Sequence, residues 1–212
     1  MKNLKKLPLI LTILSLVSFI TPVNAEVKVV TSIKPLHSLA SYLMDGVGKP
    51  DLIVDGYASP HGFSMKPSHA KMLQNADLIF WVGEDLENFL EKPLNSIAKK
   101  AEKIELIEIK GLNVLKFRER NIFDEHDHDD HGHDDHGKKE EHDDHDDHDG
   151  HEGHAHGEFD PHIWLDTMNA KAMLNEMAEH LIENDPKNEA KYKSNLDKAL
   201  KDIDKLTIEV MT

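Results

Sequence analysis

VKVVTSIKPLHSLASYLM, residues 27–44, is the stretch whose reading decides the fold. Val27 to Ile33 is rich in β-branched residues and reads as a strand. Pro35 to Met44 then changes to helical spacing, with Leu36, Leu39, Ala40 and Leu43 recurring on one side. The same switch repeats downstream. Leu52 to Val54 is a short strand, Pro67-Ser68 opens a helix carrying Met72 and Leu73, and Leu78 to Val82 (LIFWV) is a buried strand. Leu86 to Lys100 is helical with an interruption at Pro93, and Ile104 to Ile109 supplies a fourth strand. Strands alternating with helices imply right-handed crossovers, hence an α/β lobe with a four-stranded parallel sheet covered by helices. In such sheets, binding sites form in loops at the carboxyl ends of the strands.

Further along, EFDPHIWLD (158–166) leads into two more helices. Asp166 can cap the first, whose apolar face runs through Ala170, Met173, Met177 and Leu181. Asp185-Pro186 caps and starts the second, a long helix with Tyr192, Leu196, Ala199, Ile203, Leu206 and Val210 on one stripe. The sequence stops while that stripe is still periodic, so its last turns need a partner surface.

The N-terminus has the form of an export signal. Lys2, Lys5 and Lys6 precede the apolar run Leu7 to Ile20, and Val23-Asn24-Ala25 offers a small-residue cleavage site. The run is short for a membrane span, which needs about 20 residues. A mature protein beginning near Glu26 and exported to the periplasm is the expectation. The chain has no cysteine, which removes disulfides and thiolate zinc sites from consideration. The expected organisation is 1–25 signal peptide, 26–123 first part of the α/β lobe, 124–158 a His/Asp/Glu-rich loop, 159–185 the remainder of the lobe, and 186–212 the long helix.

The 124–158 tract carries most of the charge. It holds sixteen acidic residues against Lys138 and Lys139, and so accounts for −14 of the chain's formal −15. The acidity therefore describes one segment, where cations concentrate, and argues against nucleic acid as a partner. Eleven histidines lie in it: His126, His128, His131, His133, His136, His142, His145, His148, His151, His154 and His156. With almost no apolar side chain to bury, the tract should be a solvated loop, and neutral imidazoles among carboxylates make overlapping sites for divalent metal. His131 to His136 matches the H-x-H-x-D-H pattern of metallo-hydrolases, and His126 to His131 matches it again. Overlapping matches are what this composition produces by itself, and a catalytic metal needs rigid presentation and a shaped cavity. No enzymatic activity is expected.

Two histidines stand apart. His61 follows the second strand in GYASPHGFS (56–64), and His162 lies in FDPHIWLD (159–166) just before a capped helix. Pro60 and Pro161 stiffen the backbone before each. Imidazole is a preferred zinc ligand, and two fixed rings supply half a tetrahedral shell. Asp160 and Asp166 are candidates to orient His162 through its other ring nitrogen, although capping explains Asp166 equally well. His37 reads as a packed or surface residue, His180 as a helix-end dipole contact, and Trp81 and Trp164 as core residues.

TSIKPLHSLASYLMDGVG, YASPHGFSMKPSHAKMLQNADLIFWVGEDLENFL and FDPHIWLD together resemble the periplasmic zinc-binding component of bacterial ABC uptake systems, the ZnuA type of metal-specific solute-binding protein. The resemblance covers most of Val27 to Thr212 and implies two α/β lobes joined by a long rigid helix, with Lys187 to Thr212 as that helix. It implies zinc held between the lobes by His61, His162 and ligands from the second lobe, which this sequence lacks. It further implies a monomer, once the second lobe is present, that captures Zn2+ with high affinity and delivers it to an inner-membrane ABC permease. Departures from the pattern are Pro60 where some members place Glu, His69 where Asp is expected, and Thr167 where Pro is usual. The other readings are a periplasmic metal buffer or chaperone without a transport role, and a manganese-binding relative, which harder oxygen ligands would mark.

Overall fold

The computed structural model describes residues 26–117 and 159–211. The export-signal reading and the eleven tract histidines, His126 to His156, fall outside those residues.

Four parallel strands, β1 (Val29–Thr31), β2 (Asp51–Leu52), β3 (Leu78–Trp81) and β4 (Glu102–Glu105), form one sheet in the order β2-β1-β3-β4. β1 and β3 are buried along their whole length, as apolar central strands of a covered parallel sheet must be. The helices are α1 (Lys34–Leu43), α2 (Pro67–Asn75), α3 (Asn88–Ser96), α4 (Thr167–Asn184) and α5 (Glu189–Met211). The chain moves from β1 one way to β2, then crosses back to β3 and β4, so right-handed crossovers put α1 on one face and α2 and α3 on the other. α4 and α5 pack on each other and on α1, completing the first layer. Leu36, Ala40 and Leu43 of α1 and Met173, Met177 and Leu181 of α4 are buried in the core.

β1 and β2 are Val29–Thr31 and Asp51–Leu52 where the sequence reads Val27 to Ile33 and Leu52 to Val54, and three further differences have nameable causes. The fourth strand starts two residues early, and Leu106–Glu108 turns into a 3-10 helix. β4 is an edge strand that needs only Ile104 inside, and its register with β3 ends at Trp81↔Glu105. The hydrophobic alternation of IELIEI thus outlasts its pairing partner. Secondly, α3 is shorter than the helical pattern and runs unbroken through Pro93. Thirdly, the Asp185 side chain makes no capping hydrogen bond to the backbone. Its nearly buried carboxylate instead accepts from Tyr192 Oη at 3.0 Å and Asn188 Nδ2 at 2.7 Å, and Pro186–Asn188 forms a 3-10 turn before α5.

Long-range polar contacts lock the layers. Asn195 Nδ2 on α5 donates to the carbonyls of Leu43 (2.7 Å) and Asp45 (2.9 Å), satisfying the C-terminal end of α1. Tyr42 Oη donates to Asp202. At the carboxyl ends of β1 and β3, Ser32 Oγ and the N–H groups of Val82 and Gly83 all donate to the fully buried Glu87 carboxylate. Gly83 has no room for a side chain, since a Cβ there would lie 2.9 Å from both Glu105 Oε1 and Ile107 Cγ2. The strand order reverses between these two strands, which places the crevice of the fold at their carboxyl ends.

Candidate metal centre

Asp166 sets the position of the segment that carries His162. Its side chain accepts from Met168 N (2.7 Å) and Asn169 N (3.4 Å) and caps α4. Asn169, itself buried, donates from Nδ2 to the carbonyls of Asn113 (3.0 Å) and Ile163 (3.1 Å), while its Oδ1 accepts from Asn113 N at 2.7 Å. One asparagine thereby ties α4, the 3-10 turn Ile163–Leu165 and the segment at Asn113 into a single unit. Nothing in the apolar periodicity signals this role, because a polar residue at a core-facing helix position reads as a defect.

Asp160 acts on His162 directly. Its Oδ1 accepts from the His162 backbone N–H at 3.0 Å and lies 2.6 Å from ring Nδ1. These bonds, the backbone one foremost, hold the Asp160 carboxyl below its ordinary range. A carboxylate on Nδ1 puts the proton there and leaves the Nε2 lone pair for a ligand. The His162 ring also packs 5.2 Å from that of Trp164, which is half-buried beside the histidine rather than deep in the core. Of the two candidate orienting residues, Asp160 contacts His162, whereas the hydrogen bonds of Asp166 belong to the cap and to Asn113.

His61 comes from the loop after β2. Its N–H donates to Ser59 Oγ at 3.2 Å in a short local turn. Its exposed ring stands 5.8 Å from that of His162, centre to centre, with the planes tilted by 46°. Two imidazoles sharing one zinc at about 2.0–2.1 Å have ring centres about 5–6 Å apart. The fold therefore brings together two histidines separated by a hundred residues, at a spacing one ion can bridge. His69 takes a structural role nearby. Its Nδ1 accepts from Lys66 N at 3.1 Å at the start of α2, and its ring stacks on Phe63. Partial burial first, then Lys66, lowers its basicity.

The described segments that flank residues 118–158 meet beside His162. Lys116 and Phe159 form an isolated antiparallel bridge, and Asp160 N donates to Leu115 O at 2.8 Å.

The family described as the zinc-uptake complex component A, periplasmic (ZnuA), matches residues 29–212. The chain belongs to the ZnuA family. It is 46% identical over 188 residues to the high-affinity zinc uptake system protein ZnuA of Brucella abortus, and 34% identical over 172 residues to that of Yersinia pestis. These alignments cover 86% and 81% of this chain but only 56% and 51% of the relatives, so the chain spans about half the length of the ZnuA proteins it matches. The fold is shared with the Zn(II)-bound ZnuA-like domain of Streptococcus pneumoniae AdcA, at TM-score 0.60 and 16% identity, over 86% of this chain and 53% of that one. It is likewise shared with a Mn-bound periplasmic metal-binding protein from Candidatus Liberibacter asiaticus, at TM-score 0.59 and 20% identity, over 82% and 52%.

Away from this centre, His180 is not simply a helix-end dipole contact. It sits among Glu102, Glu176 and Glu183. His37 Nε2 meets the Pro50 carbonyl at 3.1 Å, in keeping with a packed role. Trp81 is buried in the core.

Proposed function

We propose that this chain carries the first-lobe half of a periplasmic zinc-capture site, with Zn2+ as cargo handed to an ABC permease of the inner membrane. The Asp160–His162–His61 arrangement is the observation that supports it: one ring nitrogen fixed by a carboxylate, and a second imidazole at ion-sharing distance. His61 and His162 would each give one nitrogen. The remaining positions would be filled by ligands from the part of the longer relatives that this chain does not cover. Two imidazoles favour zinc over manganese, which prefers oxygen ligands. The tract histidines His126 to His156 would collect the same ion, because the segment bearing them is rooted three residues from His162.

The test is a competitive chelator titration of the chain extended by the C-terminal half of the Brucella relative. His61→Ala and His162→Ala should each abolish the tightest zinc event. Asp160→Asn should weaken it by about 10–100-fold while leaving the zinc count unchanged, as loss of a carboxylate behind a ligating histidine does. A tightest event that survives both histidine substitutions would place the primary site elsewhere.

A further inference from the structure

We propose a second divalent-cation site at the opposite end of α4, built by His180 Nδ1, Glu102 and Glu183, with Glu176 behind the histidine. It stands independently of the site at His61 and His162. Fourteen residues of helix separate the Asp166 cap from His180, about 21 Å at 1.5 Å per residue.

The argument starts from His180 Nδ1. That atom lies out of solvent and has no hydrogen-bond partner. Two carboxylate oxygens nevertheless crowd it, Glu102 Oε1 at 2.9 Å and Glu183 Oε2 at 3.8 Å. Glu102 Oε1 is near enough to accept a proton but lies off the direction in which a ring N–H would point, which is why no hydrogen bond forms. The other nitrogen, Nε2, contacts Glu176 Oε1 at 3.4 Å, one turn earlier on the helix. A proton on Nε2 directed at Glu176 leaves a bare lone pair on Nδ1, facing two anionic oxygens. With two carboxylates at Nδ1 and a third at Nε2, the ring is enclosed by negative charge that a bound cation offsets. Among the described residues no lysine pairs with Glu102, Glu176 or Glu183, whose ion pairs all go to His180.

The dimensions fit a metal. Ligand atoms of a tetrahedral zinc shell with bonds of about 2.0–2.2 Å lie about 3.4 Å apart. The two oxygens bracket that value from Nδ1, and the three ligand atoms lie within 4.8 Å of one another. His180 and Glu183 share a helix face at i, i+3 spacing, and Asn184 Nδ2 holds the other Glu102 oxygen at 2.7 Å. Glu176 on the second ring nitrogen supplies the carboxylate–histidine support usual behind metal-ligating imidazoles. One nitrogen and two carboxylates, with positions left for water, suit a first-row divalent ion such as zinc.

The test is histidine-ring nitrogen NMR on the full chain titrated with zinc chloride, the His180 signals being assigned by their loss in His180→Gln. Zinc should move Nδ1 to the shift of a metal-bound nitrogen while Nε2 keeps its proton, and magnesium should not. Glu183→Gln, at an exposed position, should weaken this response by about tenfold or more, and Glu176→Ala by about 10–100-fold. A protonated Nδ1 indifferent to zinc would show that the carboxylates hold an imidazolium instead, and would overturn the proposal. A zinc response unchanged by Glu183→Gln would overturn it as well.

Discussion

Glu87 accepts from Ser32 Oγ and from the N–H groups of Val82 and Gly83, yet burial outweighs these bonds and pushes its carboxyl from an ordinary 4.5 up to about 7. The folded state therefore keeps a proton that the unfolded chain has already released. The associated stability is fully present below pH 4.5 and is lost as pH rises to about 7, after which it stays flat. The span amounts to about 3 kcal/mol at 1.36 kcal/mol per unit. Glu87→Gln carries no such proton. Urea unfolding of both proteins on either side of that window should show wild type losing about 3 kcal/mol relative to the variant as pH rises. A difference independent of pH would mean that Glu87 is ionised throughout. None of this is legible in GEDLENFL, where a glutamate before a helix reads as an exposed N-terminal charge. His61 and His162 were legible as candidates because proline and glycine neighbours marked their loops. Their 5.8 Å approach was not, since it depends on how α4 returns to the sheet.

α5 shows how one periodic stripe can divide into two energetic regimes. Tyr192 and Ala199 are buried against α1 and α4, while Leu206 and Val210 farther along the stripe are 44% and 72% exposed, and Ile208 and Met211 beside them are exposed too. Helical propensity alone holds an isolated helix only marginally, so the uncovered turns depend on whatever the packed turns lend them. Hydrogen exchange should find amides near Tyr192 to Ala199 protected close to the global limit, and those from Leu206 onward exchanging much faster. Uniform protection, lost on dilution, would instead show the exposed end covered by a second copy. The heptad-like spacing in the sequence announced the stripe but not where its cover ends, because periodicity records which side is apolar and not what meets it. The Asp166 cap of α4 was readable from local chemistry alone. The limits of β4 were not, because they are set by where β3 stops.

For the molecule as a whole, the Lys116–Phe159 bridge and the Asn113–Asn169 hydrogen bonds hold together the two described segments that flank the His-rich tract in sequence. Deleting 124–158 should therefore leave the fold intact and change stability by no more than about 1–2 kcal/mol, the size of a loop-closure term. It should also remove most of the weakly held zinc. Denaturation midpoints and metal analysis of the two chains test both halves, and collapse of the fold on deletion would mean that the tract is part of the core. Architecture was legible at this scale because the β–α alternation and two buried strands allow few topologies. The bridge at the tract's base was not, as it joins two segments that no local pattern relates. The hold of Asn195 on the end of α1 bears on the order of events in synthesis. The carbonyls of Leu43 and Asp45 wait about 150 residues for their donor, and β1 waits for β3 before it has neighbours on both sides. Such dependence on distant partners slows folding and leaves the early chain without a stable resting place while it emerges. A polypeptide that completes its packing only after α5 has been made stays open, and so threadable, for longer than one that settles element by element.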